Sequence, residues 1–132
     1  MKKITLFILS LLTLATTAFA DCVRLENQTP YHKEKSKMAV QWATSTKDVY
    51  EGNEAIIHGT KKHPGSMEMI TKKGPVKLKV PKNAQYFRVL VWSQGKGDPD
   101  LITNWVDIVP NKSYILKGDH LVPSVLMSGT GC

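Results

Sequence analysis

His58, His63, Met67 and Met69 lie within the stretch "HGTKKHPGSMEMI", residues 58–70. Imidazoles and thioethers at this spacing are soft ligands, and Cu(I) is the ion they suit. Met67 and Met69 are two apart, so on a strand they point to the same side. Trp42 could cap such a site from another strand. The surroundings argue the other way. Lys61, Lys62, Lys72 and Lys73 flank the segment, and positive charge opposes cation capture. Methionine is also a common filler of irregular core space. The segment is therefore expected to be a basic hairpin whose methionines pack inward, with a copper carrier as the alternative.

Other chemistries find less support. The four histidines, His32, His58, His63 and His120, stand in no recognised motif. There is no G-x-S-x-G, no H-E-x-x-H and no Cys-x-x-Cys. Asp98, Asp100 and Asp119 lie in turn-like sequence, where Asp is favoured for local hydrogen bonding alone. The "GDPD" run lacks the remaining ligand positions of a calcium loop. No nucleophile, general base or oxyanion-binding motif stands out, and the chain is expected not to be an enzyme and to carry no cofactor.

The elements that would position these residues begin after a leader. Lys2 and Lys3, the apolar run "ITLFILSLLTLA" and the small residues of "TAFA" read as a secretory signal with cleavage after Ala20. The apolar run is short for a bilayer span. No second one follows, so no transmembrane segment is expected. The mature chain would be a single domain over residues 21–132 in the periplasm. Removing the leader's two lysines lowers the formal charge from +7 to +5. That charge does not point to nucleic acid, which a periplasmic protein does not meet. It suits solubility alone, or else acidic partners, anionic lipid headgroups or cell-wall polymers.

Cys22 and Cys132, near the two ends of that domain, are the only cysteines. In an oxidising compartment an even pair reads as a disulfide. By chain entropy, closing a loop of roughly 100 residues contributes about 4–5 kcal/mol.

Between the cysteines the pattern is short strands and turns. "MAVQWATS" (38–45) puts Met38, Val40 and Trp42 on one face. "AIIHGT" (55–60) and "SMEMITK" (66–72) read as a hairpin about "KKHPG", and "TKDVYEGNE" (46–54) as a loop or one helical turn. "PVKLKVP" (75–81) turns Val76, Leu78 and Val80 inward and Lys77 and Lys79 to water. "AQYFRVLVWS" (84–93) is apolar on both faces, as a central strand is. Seven or eight such strands and no persuasive amphipathic helix predict an all-β, antiparallel β-sandwich, with a small OB-like barrel as the alternative.

The segment "YFRVLVWSQGKGDPDLITNWVDIVPNKSYILKGDHL" (86–121) has a further layout: an apolar strand, an Asp-containing loop, Trp105 opening the next strand, and a short strand after Pro-Asn-Lys. It resembles the C-terminal half of the periplasmic outer-membrane lipoproteins of type VI secretion systems. That resemblance implies a transthyretin-like sandwich that docks on a large inner-membrane anchor protein. The family attaches lipid to its first mature cysteine. Here Asp21 precedes Cys22, which argues for a non-lipidated relative or accessory factor.

The expected work is protein binding by loops on a rigid scaffold. The surfaces are the polar connection 31–37, the turn 61–65 and the loop 94–100, with Gln94, Lys96, Asp98, Asp100 and the nearby Trp105 as contact residues. An exposed edge strand is a further route. Trp92 is expected in the core. A secreted inhibitor or immunity protein is the other binding alternative.

Overall fold

The structure is a computed structural model and describes residues 22–58 and 67–124. The expected leader, His63 with the 61–65 turn, and Cys132 lie outside the described residues, so the Cys22–Cys132 pairing does too. Cys22 begins the first strand and is half-buried.

Among the described residues, nine strands form two sheets that face each other and do not close into a barrel. They are β1 (Cys22–Asn27), β2 (Lys37–Ala43), β3 (Met67–Met69), β4 (Gly74–Lys79), β5 (Tyr86–Trp92), β6 (Leu101–Ile102), β7 (Val106–Asp107), β8 (Ser113–Leu116) and β9 (Val122–Pro123). One helix, α1 (Thr46–Ile57), lies between β2 and β3. The small sheet has the order β4-β1-β8. The large sheet runs β3-β2-β5-β6-β9, with β7 also on β5. The pairings are antiparallel except β1 with β8, which is parallel.

The two-residue period decides what lies between the sheets. Val23 and Leu25 of β1, Leu78 of β4 and Leu116 of β8 meet Met38, Val40, Trp42, Phe87, Val89 and Val91 of the large sheet. Ile70 and Leu121 join this core. Each such side chain, fully buried, contributes about 1.5–3 kcal/mol relative to exposure. Phe87 packs tilted on Trp42 at 6.0 Å and edge-on to Tyr114 at 5.0 Å between centroids. Lys77 and Lys79 point to water, as their alternation predicts.

β2 and β5 are also buried on their outer face, because α1 covers it. This corrects the reading of residues 55–60 as a strand. Ala55–Ile57 close a twelve-residue helix. Ser45 caps it, accepting from the Asp48 N–H at 3.3 Å, and Asp48 in turn accepts from the Thr44 N–H at 2.9 Å.

Under α1 lies a polar cluster. Arg88 is fully buried, and its guanidinium donates to Gln41 Oε1 (2.7 Å), Asn53 Oδ1 (2.9 Å) and the Gly52 carbonyl (3.0 Å). The Trp105 ring stacks on it at 4.4 Å, and the Trp105 indole N–H donates to the same Asn53 oxygen at 3.0 Å. Burial pulls the Arg88 pKa down to about 10, so it stays charged at neutral pH. The cluster contains no carboxylate. Neutral amide and carbonyl oxygens and a ring face carry the charge.

Trp105 reaches this position through a shift in register. Leu90 stands opposite Ile102, but Phe87 stands opposite Val106. One extra residue between β6 and β7 makes a bulge, which moves the following side chains to the opposite face. The Thr103 side chain fills the gap by accepting from the Val89 N–H at 2.9 Å.

Candidate binding groove

The same bulge opens the seam between the sheets. β8 is the edge of the small sheet. Opposite it, the large sheet narrows to the two-residue strands β6, β7 and β9. Between them lies a groove of about 470 Å³. Its floor is core: Leu25, Phe87, Val89 and Leu116. Thr103, Asn104, Asp119 and His120 give it a polar rim.

The rim is held by local bonds. The 3-10 turn Gly118–His120 folds back so that His120 Nδ1 accepts from the Lys117 N–H at 3.0 Å, which leaves the ring proton on Nε2. Tyr114 donates its hydroxyl to the Asp107 carbonyl (2.9 Å) and accepts from the Val109 N–H (3.1 Å), tying β8 to β7. Ser124 closes the far end, its hydroxyl donating to the Pro99 carbonyl at 2.7 Å and its N–H to the Asp100 carbonyl at 2.8 Å.

β8 gives the groove a backbone edge. It pairs with β1 on one side, and among the described residues no strand pairs with the other. The Lys112 and Leu116 carbonyls turn toward β1, where Arg24 and Gln28 donate to them. In a parallel ladder the alternating residues, Ser113 and Ile115, therefore turn their backbone groups outward. Ile115 is 52% exposed and Val122, on the groove's other side, 39%. Exposed apolar side chains, a strand edge that no described strand pairs and an apolar groove can together receive an extended peptide.

The residues expected to bind a partner are dispersed. Gln94, Lys96 and Asp98 are exposed on the β5–β6 loop, where Gly95 and Gly97 take φ of 73° and 78°. A side chain at Gly95 would meet the Lys35 carbonyl at 3.0 Å, so this loop lies against the 31–36 connection. Asp100 is occupied locally, accepting from the Ser93 N–H at 2.8 Å and from its hydroxyl. Trp105 is half-buried beneath α1 in the Arg88 cluster, and Trp92 is half-buried at the end of β5.

The proposed metal ligands within the described residues, His58, Met67 and Met69, are likewise engaged or turned outward. His58 ends α1, with Nε2 2.9 Å from Glu54 Oε2. Met67 and Met69 do not pack inward, which corrects that expectation: they are 44% and 51% exposed. β3 is an edge strand, and pairing with Gln41 and Ala39 puts both methionines on the outer face of the large sheet. Among the described residues, no group of three His, Cys, Asp or Glu side chains could hold a metal ion.

Sequence reasoning passed over Tyr114, Ile115 and Val122. The signal was three consecutive apolar residues, Tyr114–Leu116, on a strand whose outer neighbours are charged. No protein-family model matches the chain, and no curated protein is similar to it.

Proposed function

We propose that this chain is a non-enzymatic periplasmic protein-binding module that receives an extended apolar segment of a cell-envelope partner along β8. One observation carries the reading: a groove floored by core side chains runs beside a strand edge left unpaired among the described residues. Main-chain bonds to Ser113 and Ile115 would supply affinity, and alternate side chains dropping into the groove would supply specificity. The resemblance of residues 86–121 to the type VI secretion lipoproteins agrees with an envelope assembly as the setting. It makes an accessory or assembly factor of such a complex the specific form of this proposal.

The test uses a photo-crosslinking side chain at Val122, on the groove's rim, in secreting cells. A discrete adduct is expected, and Ile115→Pro should abolish it. Proline at that position removes an outward N–H and leaves the β1 ladder intact. An adduct that persists in Ile115→Pro, or none at all, overturns the reading.

A further inference from the structure

We infer that the outer face of the small sheet is a second, independent binding surface that seats the protein on an anionic phospholipid membrane. Arg24 of β1 stands directly opposite Lys77 of β4, and Lys79 follows two residues on, opposite Cys22. All three cations are exposed. Like charges directly opposed across an antiparallel pair destabilise it, at a Cβ separation of about 4.5–5.5 Å. The ion pairs among the described residues are both on α1, Lys47–Glu51 and His58–Glu54, so none neutralises this face. Glu26 is its single acid, and its carboxylate accepts from the Gln28 side chain at 2.9 Å. A sheet that tolerates this repulsion gains from a negative surface laid against it.

At Lys79 the face continues into a cleft. Lys79 and Lys82 give that cleft its charge, and Val80, Pro81, Ile108 and Pro110 give it an apolar wall. Val109, between two of these, is 48% exposed. Positive charge on one sheet face, bordered by apolar side chains, matches anionic headgroups with acyl chains beneath them better than an acidic protein surface.

The experiment is co-sedimentation of the secreted protein with vesicles. Half phosphatidylglycerol vesicles should bind it, pure phosphatidylcholine vesicles should not, and 0.5 M NaCl should release it. Arg24→Glu/Lys77→Glu/Lys79→Glu should lower partitioning at least tenfold with the far-ultraviolet circular dichroism unchanged. If that variant misfolds, Lys77→Gln/Lys79→Gln serves, with at least a threefold loss. Lys33→Glu/Lys35→Glu/Lys47→Glu, an equal charge change elsewhere, should bind as the parent does. Equal binding to both vesicle types, equal loss in the two triple variants, or displacement by soluble polyglutamate at matched charge would each overturn the inference.

Discussion

At the scale of residues, Arg88 is the most constrained side chain. Its charge is distributed over Gln41, Asn53, the Gly52 carbonyl and the Trp105 ring. Arg88→Met strips donors from the buried Gln41 and Asn53 oxygens and should cost about 2–4 kcal/mol of stability. Arg88→Lys keeps the charge but loses the planar fork, and should recover only part of that loss. Urea unfolding measures both. Gly52 reports the same site from the helix. A Cβ there would lie 3.1 Å from both Arg88 Nη2 and Trp105 Cζ2. Alanine normally gains about 1 kcal/mol over glycine inside a helix. At Gly52 it should instead destabilise, with a shift in tryptophan emission as the ring gives way. None of this was visible beforehand. Arg88 and Asn53 are thirty-five positions apart, and a lone arginine inside an apolar strand gives no hint of its acceptors.

At the scale of elements, α1 is the main departure from expectation. Its buried positions, Gly52 and Ala55, carry almost no apolar surface, because the helix packs on polar groups instead of a hydrophobic stripe. A start signal was present in Ser45 and Asp48, and the Ile56–Ile57 pair masked it by looking like a strand. Asp48 makes the start pH-sensitive. Hydrogen bonds from the Thr44 hydroxyl and N–H hold its carboxyl below its ordinary 3.8. A lowered folded value stabilises above the unfolded one and is lost as pH falls through the folded one. Helix stability should therefore drop on acidification below about pH 4, and Asp48→Asn should flatten that dependence, as read by thermal melts from pH 6 to pH 2. By contrast, β4 and β5 were legible outright. Lys77 and Lys79 alternate with Val76 and Leu78, and β5 has apolar residues on both faces, so local period alone settles them. The bulge between β6 and β7 was not legible, since it is fixed by their pairing with β5 and not by their own composition.

At the scale of the whole molecule, the sandwich presents three distinct faces: the groove beside β8, the cationic face of the small sheet, and the outer face of the large sheet under α1. The sandwich itself follows from strand count and period, whereas the groove depends on where the two sheets fail to meet. The expected bridge between the two cysteines would join the ends of the chain around all three. It predicts an intact mass two hydrogens below that of reduced residues 21–132, and a marked fall in melting temperature on reduction. Two titratable thiols in the secreted protein would be the contrary result.

β1 occupies the middle of the small sheet, with β4 on one side and β8 on the other. A chain exported from its N-terminus delivers β1 first, yet β1 finds its second neighbour only when residues 113–116 have crossed. Until then Val23 and Leu25 lack the neighbour that completes their sheet. Such long-range pairing is slow to form and leaves apolar strands uncovered meanwhile. The order of emergence thus makes β1, the first strand to appear, one of the last to be secured.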